Sequence, residues 1–237
     1  MTGHQDAEQT HRIRSMFSAI APTYDLLNRI LSLGVDVRWR RTLVTHVPPN
    51  AGQVLDLACG TGDVALEIAA ARPGCAIQGA DFSLPMLVRA RSKIRAEGRA
   101  PLISLQNASA EDLPYRDASF DAVAMAFGIR NVVRRDRALG EIRRVLRPGG
   151  VALILDFSLP RNAAVRLGYG FYFHRLLPLL GGLISGNFQA YRYLPRSVEG
   201  FPPRHEFVRQ MEAQGFSPVA CEDFTLGIAT LYEGVRV

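Results

Sequence analysis

Two carboxylates and a pair of glycines stand at a spacing that suits a ribose-bearing ligand. The run Val54-Leu55-Asp56-Leu57-Ala58-Cys59-Gly60-Thr61-Gly62-Asp63 reads as a short buried strand entering a glycine-containing turn, and Gly60 and Gly62 let backbone approach a ligand without a Cβ in the way. Ile77-Gln78-Gly79-Ala80-Asp81 ends the next strand and sets Asp81 about 20 residues after the turn, where a carboxylate accepts hydrogen bonds from ribose hydroxyls. Ala65 stands at the third glycine position of the dinucleotide fingerprint, as its tolerated variant, so a nicotinamide dinucleotide competes for this pattern. Asp56 weighs against it, because a carboxylate just before the turn repels a pyrophosphate yet can anchor a charged amino group. S-adenosylmethionine has that group and no phosphate.

The elements that must position these residues alternate. Strands are expected at 53–58, 76–80, 102–106, 120–126 and 151–157, with helices at 64–71, 83–97 and 135–146 between them. Alternation of this kind implies a mostly parallel, twisted sheet covered by helices on both faces, an α/β doubly wound fold. Arg147-Pro148-Gly149-Gly150 reads as the turn between the last of these helices and its strand. Ahead of the sheet, apolar residues from Ile13 to Leu31 recur at helical spacing, broken near Pro22 and Gly34, and predict helix, turn, helix over 11–46. After Asp156 the rhythm stops, and 161–200, rich in Tyr, Phe, Leu and Gly, is expected to form a helical lid. A helix at 205–214 and two strands, 216–222 and 227–237, close the chain. One domain over 11–237 follows, with disorder confined to about the first ten residues.

Composition is that of a globular chain, with 48% hydrophobic and 21% charged residues. Lys and Arg exceed Asp and Glu by 28 to 22, but the arginines are scattered in pairs such as Arg40-Arg41 and Arg143-Arg144, so no nucleic-acid partner is expected. Cys59, Cys75 and Cys221 have neither the number nor the spacing of a disulfide framework or a zinc site. No metal is expected, and a reduced cytoplasm fits. Met1–Thr10 is polar, which predicts no signal peptide, and the apolar run LLPLLGGLI at 176–184 is too short to span a bilayer.

VLDLACGTGD, GADFSLPML, AEDLPYRDASFD and RVLRPGG, in that order, resemble the successive motifs of class I S-adenosylmethionine-dependent methyltransferases. The resemblance implies a Rossmann-like core in which Asp56, Gly60, Thr61 and Gly62 line the methionine end and Asp81 holds the ribose. Ser109 and Ala110 would lie beside the adenine, with Phe82 and Ala126, in neighbouring motif positions, completing the set. Further stretches, MFSAIAPTYDLLNRILSLGVDVRWRR, AFGIRNV, LDFSLP and YRYLPRSVEGFP, resemble the UbiE/MenG family of ubiquinone and menaquinone biosynthesis methyltransferases over nearly the whole chain. The activity this implies is C-methylation of a demethylated isoprenoid quinol, demethylmenaquinol in particular. The alternative is an enzyme of the same fold acting on a small phenolic or natural product. Two departures bear on that choice: Tyr232 stands where the family has His, and Phe201-Pro202-Pro203-Arg204 replaces its His-Pro-Asp-Gln.

A quinol carbon becomes nucleophilic as a ring hydroxyl loses its proton, so the site needs a base or a cation to hold the oxyanion. Arg130, after the fourth strand, is the expected oxyanion stabiliser, with Asn131 beside it as a second candidate or a structural cap. Asp156, at the end of the fifth strand, could orient a ring hydroxyl. Tyr191 and Tyr193 of the lid could bond a ring oxygen, His174 is a lone lid histidine, and Tyr24 could gate the site, with Asp25 beside it capping a helix. The lid residues Phe171, Tyr172, Phe173, Leu176, Leu177, Leu179 and Leu180 suit an isoprenoid tail path with access from the inner membrane's edge, or else core or a homodimer interface.

Overall fold

The computed structural model of the chain describes residues 2–176, 179 and 188–237. Strands β1 (Gln53–Leu57), β2 (Ala76–Asp81), β3 (Ile103–Asn107), β4 (Phe120–Ala126), β5 (Leu146–Phe157), β6 (Phe216–Phe224) and β7 (Ala229–Arg236) form one seven-stranded sheet in the order β3-β2-β1-β4-β5-β7-β6. The first five are parallel, and β7 runs antiparallel to both of its neighbours. The order reverses between β1 and β4, and in such sheets the crevice at that point receives the ligand.

Period-two alternation divides the strand residues between two cores. Val54, Ile77, Ala122, Ala124, Leu153 and Leu155 face helices α3 (Val35–Thr45), α4 (Asp63–Ala71) and α5 (Leu84–Ala96). Leu55, Leu57, Val123, Met125, Ala152 and Ile154 face α6 (Arg135–Val145) and the later helix at Arg204–Ala213. A third cluster joins Ile20 and Leu27 of the N-terminal segment to Met86, Phe173 and Val198.

The N-terminal cover is three helices rather than two. α1 (Thr2–Ile20) ends at a short 3-10 turn containing Pro22, α2 (Tyr24–Leu31) follows, and Gly34, at φ +77°, starts α3. Residues 2–10 belong to α1 instead of a disordered tail. β5 starts five residues before the expected Val151, because Arg147–Gly150 is carried as an irregularity in the β4–β5 register rather than as a separate turn. The lid contains α7 (Ala163–Phe171), a π-helical segment Tyr172–Leu176 and α8 (Phe188–Glu199), followed by α9 (Arg204–Ala213). Asn162 caps α7 by accepting from the Ala164 and Val165 N–H groups. Of the expected tail path, Leu177 and Leu180 lie outside the described residues. Among the described residues, no helix is long and apolar enough to cross a membrane.

Candidate active site

The turn after β1 is built on left-handed backbone: Ala58 has φ +53°, Gly60 +54° and Gly62 +84°. The two glycines do different work. A Cβ at Gly60 would stand 3.9 Å from Tyr24 Cε1, in ordinary contact at a cleft wall, whereas one at Gly62 would stand 3.3 Å from Ala90 Cβ. Gly62 therefore serves the packing of α4 on α5. Thr61 is 2% exposed and donates through Oγ1 to Asp25 Oδ1 at 2.5 Å, so it ties α2 to the turn rather than facing a ligand. Asp25 acts there as an anchor and not as a helix cap. Lys93 bonds the other Asp25 oxygen at 2.8 Å and also pairs with Asp63, which in turn neighbours Arg40 at 3.6 Å.

Asp81 lines the cleft with its carboxylate held by two backbone donors, Gly60 N–H to Oδ2 at 2.9 Å and Ser83 N–H to Oδ1 at 2.8 Å. Burial pushes its pKa up to about 6 against these bonds. Each oxygen has a second acceptor site to offer. Asp56 lies on the same strand face as Val54, toward α4, where its Oδ2 accepts from Ala65 N–H at 2.9 Å. Its Oδ1 is buried without a partner among the described residues, and burial raises this carboxyl to about 8. Asp56 thus stands beneath the turn rather than in the cleft wall.

The cleft wall contains Gly60, Asp81, Phe82, Ser109, Ala110, Ala126 and Tyr24, all expected there, together with Asn131. It also contains Phe17, Met86, Met125, Phe127 and Val132, which no local pattern distinguished from core residues. A second cavity of about 340 Å³ adjoins it, and Phe17, Tyr24 and Phe127 border both. Its wall is apolar and aromatic, with Trp39, Phe157, Tyr169, Tyr172, Phe173 and Tyr193, and Arg130 enters from the sheet side.

Arg130 is fixed. Its Nη1 donates to Asp156 Oδ1 at 2.7 Å and to the Phe127 carbonyl at 2.6 Å, while its backbone N–H donates to Asp156 Oδ2 at 3.1 Å. The guanidinium lies 5.1 Å from the Phe157 ring centre, and its buried Nε has no partner among the described residues. Asp156 is fully buried and lines neither cavity; both oxygens are engaged by Arg130 and by Phe157 N–H. It is therefore a positioning residue for Arg130, not a contact for a ring hydroxyl. Strand parity explains the correction, since Asp156 shares a face with Ala152 and Ile154 while Phe157 turns into the cavity. Asn131 bridges the two spaces, its Oδ1 accepting from Tyr193 Oη at 3.0 Å and its Nδ2 donating to the Phe127 carbonyl at 3.2 Å. Tyr193 is thus the lid tyrosine whose hydroxyl the structure brings to the site. The side chains of Tyr191 and His174 lie outside the described residues.

The model of the ubiE/COQ5 methyltransferase family matches residues 4–236. The chain belongs to that family. It is 50% identical to a ubiquinone/menaquinone biosynthesis C-methyltransferase UbiE of Geobacter sulfurreducens, across 100% of this chain and 93% of the relative. It is 51% identical to a demethylmenaquinone methyltransferase of Thermus thermophilus, across 93% of this chain and 100% of the relative. Among solved structures, a Thermotoga maritima S-adenosylmethionine-dependent methyltransferase superposes with a TM-score of 0.66 at 18% identity, covering 95% of this chain and 100% of that one, which shows the shared fold. The protein is accordingly a methyltransferase with S-adenosylmethionine as its cofactor.

The cleft suits that cofactor. Asp81 presents acceptor capacity for ribose hydroxyls and the Gly60 backbone borders the cleft without a side chain in the way, whereas the buried Asp56 supports the turn from beneath. The departures from the family pattern fall elsewhere. Tyr232 is 1% exposed in β7, packed edge-on against Phe207 at 4.8 Å, and Arg204 is bound to Asp223 and Thr230. Neither lines either cavity, so these departures lie away from the cleft and the adjoining cavity.

Proposed function

We propose that the protein methylates a ring carbon of a demethylated isoprenoid quinol, demethylmenaquinol foremost, with the residue roles set out below. The carrying observation is the largely apolar cavity of about 340 Å³, which shares three aromatic walls with the cofactor cleft and is lined by two buried, ion-paired guanidiniums, Arg130 on Asp156 and Arg40 on Asp36. S-adenosylmethionine supplies an electrophilic methyl group on a sulfonium.

The chain's own residues prepare the acceptor. A ring packed among Phe127, Phe157 and Tyr24 is shielded from water and held flat, which favours in-line approach of its carbon. Arg130 stabilises the oxyanion that forms as the ring hydroxyl ionises; with a pKa above about 12 it cannot act as the base. Asp156 keeps the guanidinium in place, and the Tyr193–Asn131 bond fastens the lid beside it. Asp81 and the backbone of Gly60 bind the ribose side, Ser109, Ala110 and Phe82 flank the base, and Asp56 holds the turn from beneath. The cavity and its exposed apolar surroundings also support peripheral contact with a membrane that stores the substrate.

Incubation with methyl-labelled cofactor and demethylmenaquinol should label the ring carbon, read by mass spectrometry of the product. Absence of transfer to any prenylated quinol, with transfer to a small unprenylated phenol, would replace this assignment.

A further inference from the structure

The larger cavity opens between two loops. Leu33, in the α2–α3 loop, and Thr225, at the β6–β7 corner, are both exposed and both line the cavity, so they mark its mouth. The loops are joined behind the mouth by Trp39 Nε1 donating to Thr225 Oγ1 at 3.0 Å. Leu33 is 90% exposed and Leu226 73% exposed. Among the described residues six non-glycine residues take the left-handed region, and three of them, Leu33 (φ +53°), Thr225 (+46°) and Leu226 (+59°), stand here. An L-residue with a Cβ pays for that conformation, and such strain persists where a site needs it.

The apolar surface continues on both sides. Leu26 and Ile30, one turn apart on α2, precede Leu33 and are exposed at 56% and 41%. Leu159, exposed at 46%, adjoins the corner, where Ser158 Oγ donates to the Gly227 carbonyl at 2.8 Å. Two arginines accompany these loops: Arg29, exposed, whose carbonyl accepts from Gly34 N–H at 2.9 Å, and Arg161, exposed, whose backbone lies against Gly227. The acidic side chains nearest the corner are already engaged, Asp223 by Arg204 and Glu222 by His46. The patch is therefore apolar at its centre and basic at its rim.

We infer that this rim is the surface by which the protein docks on an anionic lipid bilayer, with Leu33 and Leu226 inserted among the acyl chains and Arg29 and Arg161 at the headgroups. The cavity mouth then opens directly into hydrocarbon. A cavity of about 340 Å³ has room for a bicyclic ring, and the rest of a long tail can stay in lipid while the ring enters. The tail path rests on the proposed substrate, whereas bilayer docking is measured without catalysis, so either can fail alone.

Co-sedimentation of the full chain with phosphatidylcholine vesicles, with and without phosphatidylglycerol, tests this. The wild type should partition onto the anionic vesicles and dissociate with added salt. The Leu33→Ser/Leu226→Ser variant should bind about a hundredfold less, roughly tenfold per leucine. Leu226→Ser alone, at a position outside both cavities, should keep methyl transfer to a short-tailed quinol in solution and lose it toward a long-tailed quinol in vesicles. Thermal denaturation confirms that the variants are folded, and Arg29→Glu/Arg161→Glu gives an independent second test with the leucines intact. Failure of the wild type to bind anionic vesicles overturns the inference, as does equal binding by the leucine variant. A concentration-dependent dimer that the leucine variant abolishes, with no vesicle binding, would assign the patch to a second copy of the chain instead.

Discussion

Replacing Asp156 with asparagine isolates the role assigned to the Arg130 pair. The carboxylate is fully buried, accepts from the Arg130 guanidinium at 2.7 Å, and also accepts from the Arg130 and Phe157 backbone N–H groups. An amide is nearly isosteric but turns one acceptor into a donor against donors, and it leaves a guanidinium that is 6% exposed without its counter-charge. Coulomb attraction between unit charges about 4 Å apart at an effective dielectric near 20 is roughly 4 kcal/mol. Breaking one partner of a buried pair costs about 3–5 kcal/mol, the same range. For a chain of 237 residues this lowers the melting midpoint by about 6–20 °C. Turnover should fall about a hundredfold through displacement of Arg130, with little change in the KM for the cofactor. Thermal denaturation and transfer of labelled methyl at a temperature below both midpoints measure the two effects. A variant that melts within about 2 °C of wild type while losing turnover would refute the reasoning, because Asp156 would then act on the substrate itself.

Asp56 and Asp81 have folded pKa values pushed up to about 8 and about 6 by burial, above the ordinary value of about 4. The contribution of these two groups to the stability of the ligand-free protein should therefore be fullest below about pH 4 and decline as pH rises through those values, and Asp56→Asn should flatten the upper part of that decline in urea midpoints; the same slope over that window in Asp56→Asn as in the wild type would contradict this. Gly60→Ala and Gly62→Ala each place a Cβ on left-handed backbone, at about 1–2 kcal/mol, but only Gly60 borders the cleft. Calorimetry should show cofactor affinity lowered by Gly60→Ala and nearly kept by Gly62→Ala, with the denaturation midpoint of Gly62→Ala the lower of the two. Lys93→Met removes the cation shared by Asp25 and Asp63, and part-exposed pairs of this kind are worth about 1 kcal/mol. Amide exchange in α2 should then quicken roughly fivefold, and unchanged exchange would mean that α2 is held by apolar packing alone.

The sheet was legible because buried parallel strands read as continuous apolar runs that stop at Gly or Asp. β4 begins and ends where Phe120 and Ala126 stand in the sequence pattern. β5 was read short because Arg147-Pro148-Gly149-Gly150 is turn chemistry, which the sheet absorbs as a register shift. The cofactor wall was legible for a related reason: Gly60 and Asp81 stand at strand ends on the ligand edge, and chain position alone puts them there.

Which side of the edge a residue serves is decided by pairing and packing. Gly62 and Thr61 belong to the same motif as Gly60, yet one is used against Ala90 and the other against Asp25. The acceptor cavity is harder still to read, because residues far apart in the chain make it. Tyr172 Oη donates to the Leu31 carbonyl across 141 positions, Tyr193 Oη to Asn131 across 62, and Lys93 Nζ to Asp25 across 68. Hydrophobic periodicity records that Phe17, Tyr24 and Phe173 are turned inward. It carries no sign of whether an inward ring meets another ring of the protein or the wall of a cavity, and here the same side chains do both: Phe17 packs on Tyr24 and Phe82 while bordering both cavities, and Phe173 packs on Phe157 at the wall of the larger one.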